Sequence, residues 1–278
     1  MNKIKFDCIV IPTLGRTETQ VTYNNLPAKW QAIVKFVVQP HEYDIMYQKY
    51  GDKVVCLPED IKGIAATRGW IWRNFSDKVY WCFDDDMKFR TKVPNGKRTK
   101  GGWSDSYSGS YFTDEDFDSV FDWAEKQMEN GIHYGAMQGS TIILDSRQYP
   151  EKWNARLIGN AFYNAKMLPK YDELEWNRCP AAEDYDLLLQ LLIKGYKNVV
   201  TTRWFVVPGT QKTGGCFTFR NQEVHNQSQL KLVELFPEYV VINSSKMKDE
   251  NGPIKVIVKC AKAFNDSQKV PIKPNQLF

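Results

Sequence analysis

The sequence predicts an α/β protein whose mostly parallel sheet is covered by helices on both faces. Over residues 1–90, short apolar segments alternate about four times with segments of helical pattern. The segment at residues 79–83 has no helical period, as expected of a strand that is buried on both faces. Of the 278 residues, 42% are hydrophobic and 25% are charged, a globular composition that is ample for a large core.

The elements of the first ninety residues follow from these apolar segments and from the residues that end them. Strands are predicted at residues 6–11, 34–38, 54–57 and 79–83. Pro12 ends the first strand and Pro58 the third, because proline has no backbone N–H to donate to a sheet. A short helix is predicted at residues 17–26, and a second from residue 63 to about residue 74.

The rest of the chain continues the alternation with longer polar segments. Residues 88–111 are predicted to form a long polar segment. Thr113 caps a helix that ends near residue 129. Strands are predicted at residues 135–144 and 198–207, with an irregular segment at residues 156–170 between them. Further helices are predicted at residues 180–194 and from residue 225 to about 235, followed by two strand-like stretches at residues 239–242 and 254–259. With no internal repeat and no linker, residues 1–278 are predicted to form one domain with a C-terminal elaboration.

Three consecutive carboxylates, Asp84, Asp85 and Asp86, directly follow the apolar strand at residues 79–83. Adjacent negative charges at the end of a buried strand repel one another and resist desolvation. A divalent cation that prefers oxygen ligands, Mg²⁺ or Mn²⁺, would relieve this repulsion. Ligand sites in open α/β sheets also lie at the carboxyl ends of strands. The alternative is a polar turn in which all three acids face water.

Other candidate site residues lie at predicted helix ends and in glycine-rich turns. Thr13 and Arg16 flank Gly15 in the turn after the first strand, where α/β folds meet nucleotides. Arg68 follows small residues at a helix start, where a guanidinium can approach phosphate. The Glu183-Asp184 pair starts a helix, so that ordinary helix N-terminal electrostatics is the alternative to catalysis.

Net charge and cysteine content narrow the choice of partners and compartments. The net charge is +4 with a pI near 8.6, which permits an anionic partner without requiring one. Residues 88–100 carry six basic residues and no acid, which suits a phosphate backbone or a solvated face. No apolar run approaches the roughly 18 residues of a membrane span, and residues 1–6 lack a signal-peptide core. Six scattered cysteines without a C-x-x-C pair indicate free thiols in a reducing cytoplasm.

Taken together, the acid triplet, the Glu-Asp pair and a glycine-rich loop followed by histidine resemble the nucleotide-sugar glycosyltransferases of the GT-A fold. The resemblance covers roughly residues 6–225. It implies that Asp84 and Asp86 hold a divalent metal, with Asp86 as the direct ligand and Asp84 nearer the nucleotide ribose, and that Asp85 supports them. By the same resemblance, Asp184 beside Glu183 is the catalytic base of inverting members. The family also implies roles for residues outside these acids: His225 as a further metal ligand, and Thr13, Arg16, Arg68 and Lys212 as donor contacts.

A closer resemblance is to the TET/JBP-associated glycosyltransferases of phage and related genomes. The sequence segments that carry it are I-P-T-L-G-R in the first turn, G-I-A-A-T-R-G-W, and W-C-F-D-D-D-M. The resemblance implies transfer of a sugar from a UDP-sugar to the hydroxymethyl group of 5-hydroxymethylcytosine or 5-hydroxymethyluracil in double-stranded phage DNA, in the host cytoplasm. Residues 1–90 would bind the donor and residues 91–278 the acceptor, with Lys97, Arg98 and Lys100 on DNA.

Two other enzyme classes remain open on the sequence alone. One is a glycosyltransferase that acts on a saccharide acceptor in surface polysaccharide synthesis. The other is a metal-dependent nuclease or phosphotransferase, because acid clusters bind metal there too. A non-enzymatic DNA-binding module is the least favoured reading, because it would not need three carboxylates at the edge of a buried strand.

Overall fold

The computed structural model describes residues 3–92, 109–140, 150–209, 214–215, 221–246 and 252–269. The helices of this part of the chain are α1 (Val21–Asn25), α2 (Ala28–Gln31), α3 (Pro40–Tyr50), α4 (Ile64–Asn74), α5 (Asp114–Glu129), α6 (Glu183–Ile193), α7 (Gln222–Leu235) and α8 (Cys260–Ser267). The strands are β1 (Cys8–Thr13), β2 (Val34–Val38), β3 (Val54–Cys56), β4 (Val79–Phe83), β5 (Met87–Lys92), β6 (Gly109–Tyr111), β7 (Tyr134–Gly139), β8 (Glu151–Trp153), β9 (Asn160–Asn164), β10 (Val199–Pro208), β11 (Val240–Ile242) and β12 (Val256–Val258).

Strands β1 to β10 form one ten-stranded mixed sheet in the order β3-β2-β1-β4-β9-β7-β10-β5-β6, with β8 also paired to β10. Strands β3, β2, β1 and β4 are parallel, and β7 and β10 run in the same direction as they do. Strand β9 is inserted antiparallel between β4 and β7, and β5 is antiparallel to β10. The predicted α/β class with a mostly parallel sheet is therefore confirmed.

Apolar side chains on both faces of this sheet are buried under helices. In β1, Ile9 and Ile11 pack with α2, α3 and α5 on one face, called here the α5 face. Cys8 and Val10 point to the other face and pack against α4. Further along the sheet that second face is covered by α6, α7 and α8, and it is called here the α6 face. Burial on both faces explains why the strand segments are continuously apolar.

Several predicted elements agree with the structure. Strand β4 spans the predicted residues 79–83. Thr113 caps α5, because its side chain accepts a hydrogen bond from Asp116 N. Within the described residues no helix has the length and apolar character of a membrane span. The part of the predicted strand 135–144 beyond residue 140 lies outside the described residues.

Other elements correct the predictions. The helix predicted at residues 17–26 is shorter, because only α1 lies in this range, and a second short helix, α2, follows Pro27 and was not predicted. Residues 88–92, predicted as polar loop, belong to β5, in which Met87 and Phe89 are buried while Lys88 between them is not. Residues 160–164, predicted as irregular, form β9 at the centre of the sheet. Helices α3 and α8 were not predicted.

Candidate functional site

A cleft lies at the carboxyl ends of β1, β4 and β10, between the N-terminal ends of α4 and α6. Its volume is about 400 Å³. Its charged lining residues come from distant parts of the chain: Arg16, Arg68, Asp84, Asp85, Asp86, Arg156, Glu183 and Asp184. This is the edge of an α/β sheet where ligands bind, and it is where the acid triplet was expected.

The backbone of the acid triplet is fixed by Thr22 of α1 and by Gly159. Thr22 N donates to Asp85 O at 3.0 Å, and the Thr22 hydroxyl donates to Asp84 O at 2.5 Å. The same hydroxyl accepts from Met87 N at 2.8 Å. Asp84 N donates to Gly159 O at 2.8 Å. The protein's own hydrogen bonds therefore hold the turn that carries the three acids from both sides.

Arg16 lies against two of the three acids. Its guanidinium forms an ion pair with Asp85, and its Nη1 lies 3.2 Å from Asp86 Oδ2. The Arg16 side chain is 7% exposed and that of Asp85 is 5% exposed, so this pair is shielded from water. Burial raises the pKa of Asp85 to about 7, although Arg16 lowers it. Among the described residues Asp85 Oδ2 is buried without a hydrogen-bond partner.

Arg68 of α4 joins the acid triplet to the first residue of α6. Its Nη2 lies 2.9 Å from Asp84 Oδ1, and its Nη1 lies 2.8 Å from Glu183 Oε1. Burial raises the pKa of Glu183 to about 7, against the lowering effect of Arg68 and with a further rise from the nearby Asp184. Burial also raises the pKa of Asp84. The predicted donor side and the predicted catalytic pair therefore meet on one guanidinium.

Asp184 has a different arginine partner, Arg156, which sequence reasoning did not single out. Arg156 Nη2 lies 3.1 Å from Asp184 Oδ2, and its guanidinium lies over the Tyr185 ring, 4.2 Å from the centroid. Asp184 Oδ1 accepts from Tyr185 N at 2.9 Å. These contacts fix the carboxylate in the cleft wall. No local sequence pattern predicts this ion pair, because the two residues are 28 positions apart.

The turn after β1 is covered by two glycines from the end of the glycine-rich loop. Gly215 N donates to Leu14 O at 2.6 Å. A Cβ atom at Gly214, whose φ is +73°, would lie 2.7 Å from Gly15 O and 2.9 Å from the Arg16 side chain. Only glycine fits this approach. Gly15 N in turn donates to Glu42 Oε1 of α3 at 2.7 Å, so the turn is held from both sides.

The structure brings together most of the predicted site residues. Thr13, Arg16, Arg68, Asp84, Asp85, Asp86, Glu183 and Asp184 all line the cleft. Lys212 and the predicted DNA-binding residues Lys97, Arg98 and Lys100 lie outside the described residues. His225 is not among the residues lining the cleft, and its Nε2 lies 2.9 Å from Ile254 O. Metal ligation by His225 stays a prediction.

The charge of the lining shows whether the residues suit a divalent cation. Five carboxylates and three guanidiniums line the cleft, so the described lining carries 3 − 5 = −2 when all are ionised. No group of three or more His, Cys, Asp or Glu side chains in the described ranges is arranged to hold a metal. Mg²⁺ is usually held by one or two carboxylates together with substrate phosphates and water, so a closed protein cage is not required. The donor set fits a cation that binds together with a diphosphate.

Comparison with known proteins defines the class: the chain is a glycosyltransferase. It belongs to the TET-associated glycosyltransferase family, whose model matches residues 8–215. The resemblance noted from the sequence is thereby confirmed. The chain is also 25% identical over 268 residues to proteins named beta-glucosyl-HMC-alpha-glucosyl-transferase from Enterobacteria phages T2 and T6, covering 93% of this chain and 94% of each relative.

Solved structures were matched as well. One is S. aureus TarS 1–349 in complex with UDP-GlcNAc, with a TM-score of 0.47, 12% identity, and coverage of 83% of this chain and 67% of that one. Another is glucosyl-3-phosphoglycerate synthase from Mycobacterium tuberculosis with Mn²⁺, UDP and glucosyl-3-phosphoglycerate, with a TM-score of 0.39, 12% identity, and coverage of 86% and 84%.

Proposed function

We propose that this glycosyltransferase moves a sugar from a UDP-sugar to a hydroxyl group carried by 5-hydroxymethylcytosine in double-stranded phage DNA, with Mn²⁺ or Mg²⁺ as cofactor. The observation that carries the proposal is the bridge formed by Arg68, which brings the acid triplet and the N-terminus of α6 into one cleft. The acceptor is suggested by the phage T2 and T6 relatives, which match nearly the whole chain and are named for HMC.

Charge supports a cation in the donor complex. A nucleoside diphosphate is anionic, and the described cleft lining has two more carboxylates than guanidiniums. Binding of the diphosphate therefore needs added positive charge, which a divalent cation held by Asp86 would supply while stabilising the leaving diphosphate. Asp86 suits this role because Arg16 neutralises its carboxylate less fully than that of Asp85. The distance from Arg16 to Asp86 is 3.2 Å, and the distance from Arg16 to Asp85 is shorter.

Residues of the chain itself supply the other functions of the site. Arg68 pairs with both Asp84 and Glu183, offsets the repulsion between them and so holds the two sides of the cleft together. Asp184 is oriented by Arg156 and by Tyr185 N, and it accepts the proton of the acceptor hydroxyl. Close packing of Gly214 and Gly215 on the first turn fixes Arg16 beside the acids.

The acceptor hydroxyl has two chemical sources in this proposal. It is either the hydroxymethyl group itself or a hydroxyl of a glucose already attached to it, as the relatives' name indicates. A related base, 5-hydroxymethyluracil, offers the same hydroxymethyl group. The enzyme would act in the host cytoplasm, where unpackaged phage DNA is accessible.

The test is a matched panel of acceptors with a radiolabelled UDP-sugar. Duplexes that contain cytosine, 5-hydroxymethylcytosine, glucosylated 5-hydroxymethylcytosine or 5-hydroxymethyluracil are compared with oligosaccharides, each with Mn²⁺ or with a chelator. We expect sugar transfer to a modified duplex only, and loss of transfer with the chelator. Transfer to oligosaccharides and not to DNA would show that the acceptor is a saccharide. Full activity in the presence of the chelator would refute the metal requirement.

A further inference from the structure

Strand β5 leaves the acid triplet directly and carries basic side chains on one face. Met87 and Phe89 are buried in the core cluster of the α5 face. Because side chains alternate along a strand, Lys88 and Arg90 lie on the α6 face. That is the face on which α6 presents Glu183 and Asp184 to the cleft. The two cations therefore extend from the predicted metal ligand along the side of the sheet that bears the catalytic pair.

An aromatic ring accompanies these cations at the edge of the sheet. Tyr111 of β6, which is paired in register with Arg90, is 55% exposed. The Arg90 guanidinium lies over its ring, 3.5 Å from the centroid. Lys88 and Arg90 are half-buried, so their aliphatic stems rest on the sheet. Lys88, Arg90 and Tyr111 are called here the β5 strip.

The two faces of the sheet differ sharply in charge near this edge. Helix α5, which covers the α5 face, contains seven acidic residues and one lysine. Its solvent-facing acids include Asp114, Glu115 and Asp122, which would repel a polyanion. A polyanion that reaches the cleft therefore approaches over the α6 face, where the β5 strip lies.

Spacing along the strip also matches a nucleic acid backbone. Side chains two residues apart on one face of a strand are about 6.8 Å apart, which is comparable to the distance between successive phosphates of one DNA strand. Lys88 is only two residues from Asp86, so a phosphate on Lys88 would adjoin the nucleotide whose modified base enters the cleft. Tyr111 adds a flat surface beside the second phosphate contact.

We infer that the β5 strip binds the phosphodiester backbone of the DNA strand next to the target nucleotide. The inference rests on the proposed function and adds the surface on which its acceptor is held. Lys88 and Arg90 each contact one phosphate, and Tyr111 holds the Arg90 guanidinium in position. Phosphate contacts fix the register of a protein on DNA without reading sequence. The strip therefore positions the acceptor and leaves base recognition to the cleft.

The experiment measures the salt dependence of binding to a duplex that contains 5-hydroxymethylcytosine. Each phosphate contact contributes about 0.9 to the slope of log affinity against log salt. The Lys88→Gln/Arg90→Gln double variant should therefore have a shallower slope, smaller in magnitude by about 1.8 than that of the wild type. Lys88→Gln alone should reduce the magnitude by about half as much. Tyr111→Leu removes the ring without changing charge, so affinity should fall at every salt concentration while the slope stays close to the wild-type value.

The matched control is Lys29→Gln/Lys126→Gln, which removes two exposed lysines on the α5 face. It should leave the slope unchanged. Hydrolysis of the UDP-sugar by water should be equal in all variants, because none of them touches the donor cleft, and equal thermal unfolding midpoints establish that each variant folds. If the double variant has the same slope as the wild type, binding of the DNA backbone by the β5 strip is refuted. If the wild type itself neither binds nor modifies the duplex, the proposed function fails as well, whereas transfer to DNA with an unaffected slope removes only the strip.

Discussion

Gly159 gives a sharp test of whether the position of Asp84 matters for function. Its φ is +57°, and a Cβ added there would lie 2.6 Å from Asp84 Oδ2 and would overlap Met87 Cε. Real Cβ atoms do not approach closer than 3.0 Å, so the Asp84 carboxylate must move by at least 0.4 Å in Gly159→Ala. The carboxylate is already fixed by Arg68 at 2.9 Å and by its own N–H on Gly159 O, so this movement strains the acid triplet.

The expected loss of stability has two parts. A non-glycine residue at left-handed φ costs about 1–2 kcal/mol, and overpacking of a filled site costs about 1–3 kcal/mol. Gly131→Ala is the matched control, because Gly131 also has positive φ (+81°) but a Cβ there has no neighbour within 4 Å. The control should lose only the backbone part. The difference between the two variants therefore isolates the overpacking at Asp84.

The assays are urea unfolding and sugar transfer. Gly159→Ala should be less stable than Gly131→Ala by about 1–3 kcal/mol. It should also lose roughly one to two orders of magnitude in turnover, since a misplacement of about 1 Å near a reacting group can cost a hundredfold. If Gly159→Ala keeps wild-type turnover and matches the control in stability, the contact between Gly159 and Asp84 has no functional meaning.

Three further predictions concern single carboxylates. Asp86→Asn should abolish Mn²⁺-dependent turnover with an unchanged unfolding midpoint, while Asp122→Asn, an exposed change on α5, keeps full turnover; wild-type metal response in Asp86→Asn would refute its role as ligand. Asp184→Asn should lower kcat by about a hundredfold or more with little change in donor affinity. If kcat is unchanged and the product retains the donor's anomeric configuration, Asp184 acts only as a helix cap. Because burial raises the pKa of Glu183 to about 7 from an ordinary 4.5, the folded protein keeps a proton that the unfolded chain releases, so the free energy of unfolding should fall as pH rises across that window. Glu183→Gln should reduce this fall in urea titrations at several pH values, and an identical pH dependence would contradict the raised pKa.

The parts of the fold that were predictable are those whose pattern is local. Strand β4 is an uninterrupted apolar run before the acids, and its bounds were predicted correctly. Helix α5 has a threonine cap and acids in its first turn, so both its start and its end were close to the prediction. Helix α6 was also predicted from local signals, proline and acids before a leucine stripe, although it starts at Glu183, three residues after the predicted start at Pro180.

The elements that were missed depend on tertiary contacts. Strand β9 reads N-A-F-Y-N, with polar residues at both ends, and it is ordered by antiparallel pairing with β4 and β7. Helix α3 has a largely polar sequence in which Glu42 and Met46 are buried, so it lacks a broad apolar stripe. Strand β5 has alternating apolar and basic residues that read as a charged segment in isolation. In each case the partner that stabilises the element is far away in the sequence.

The charge balance of the cleft shows what the acid triplet alone does not determine. The prediction that three adjacent carboxylates need a cation was made without Arg16 and Arg68, which relieve part of their repulsion. When all its groups are ionised, which for Asp85 and Glu183 requires a pH above about 7, the described cleft lining has an excess of two negative charges. UDP alone is then repelled, and a cation alone must compete with Arg16 for Asp86. We therefore expect UDP and Mn²⁺ to raise each other's affinity by the same factor, since coupling between two ligands is reciprocal. Calorimetric titration of UDP with and without Mn²⁺, and of Mn²⁺ with and without UDP, measures both factors. Equal affinity for UDP in Mn²⁺ and in a chelator would mean that the arginines suffice for the diphosphate and that the enzyme binds its donor without metal.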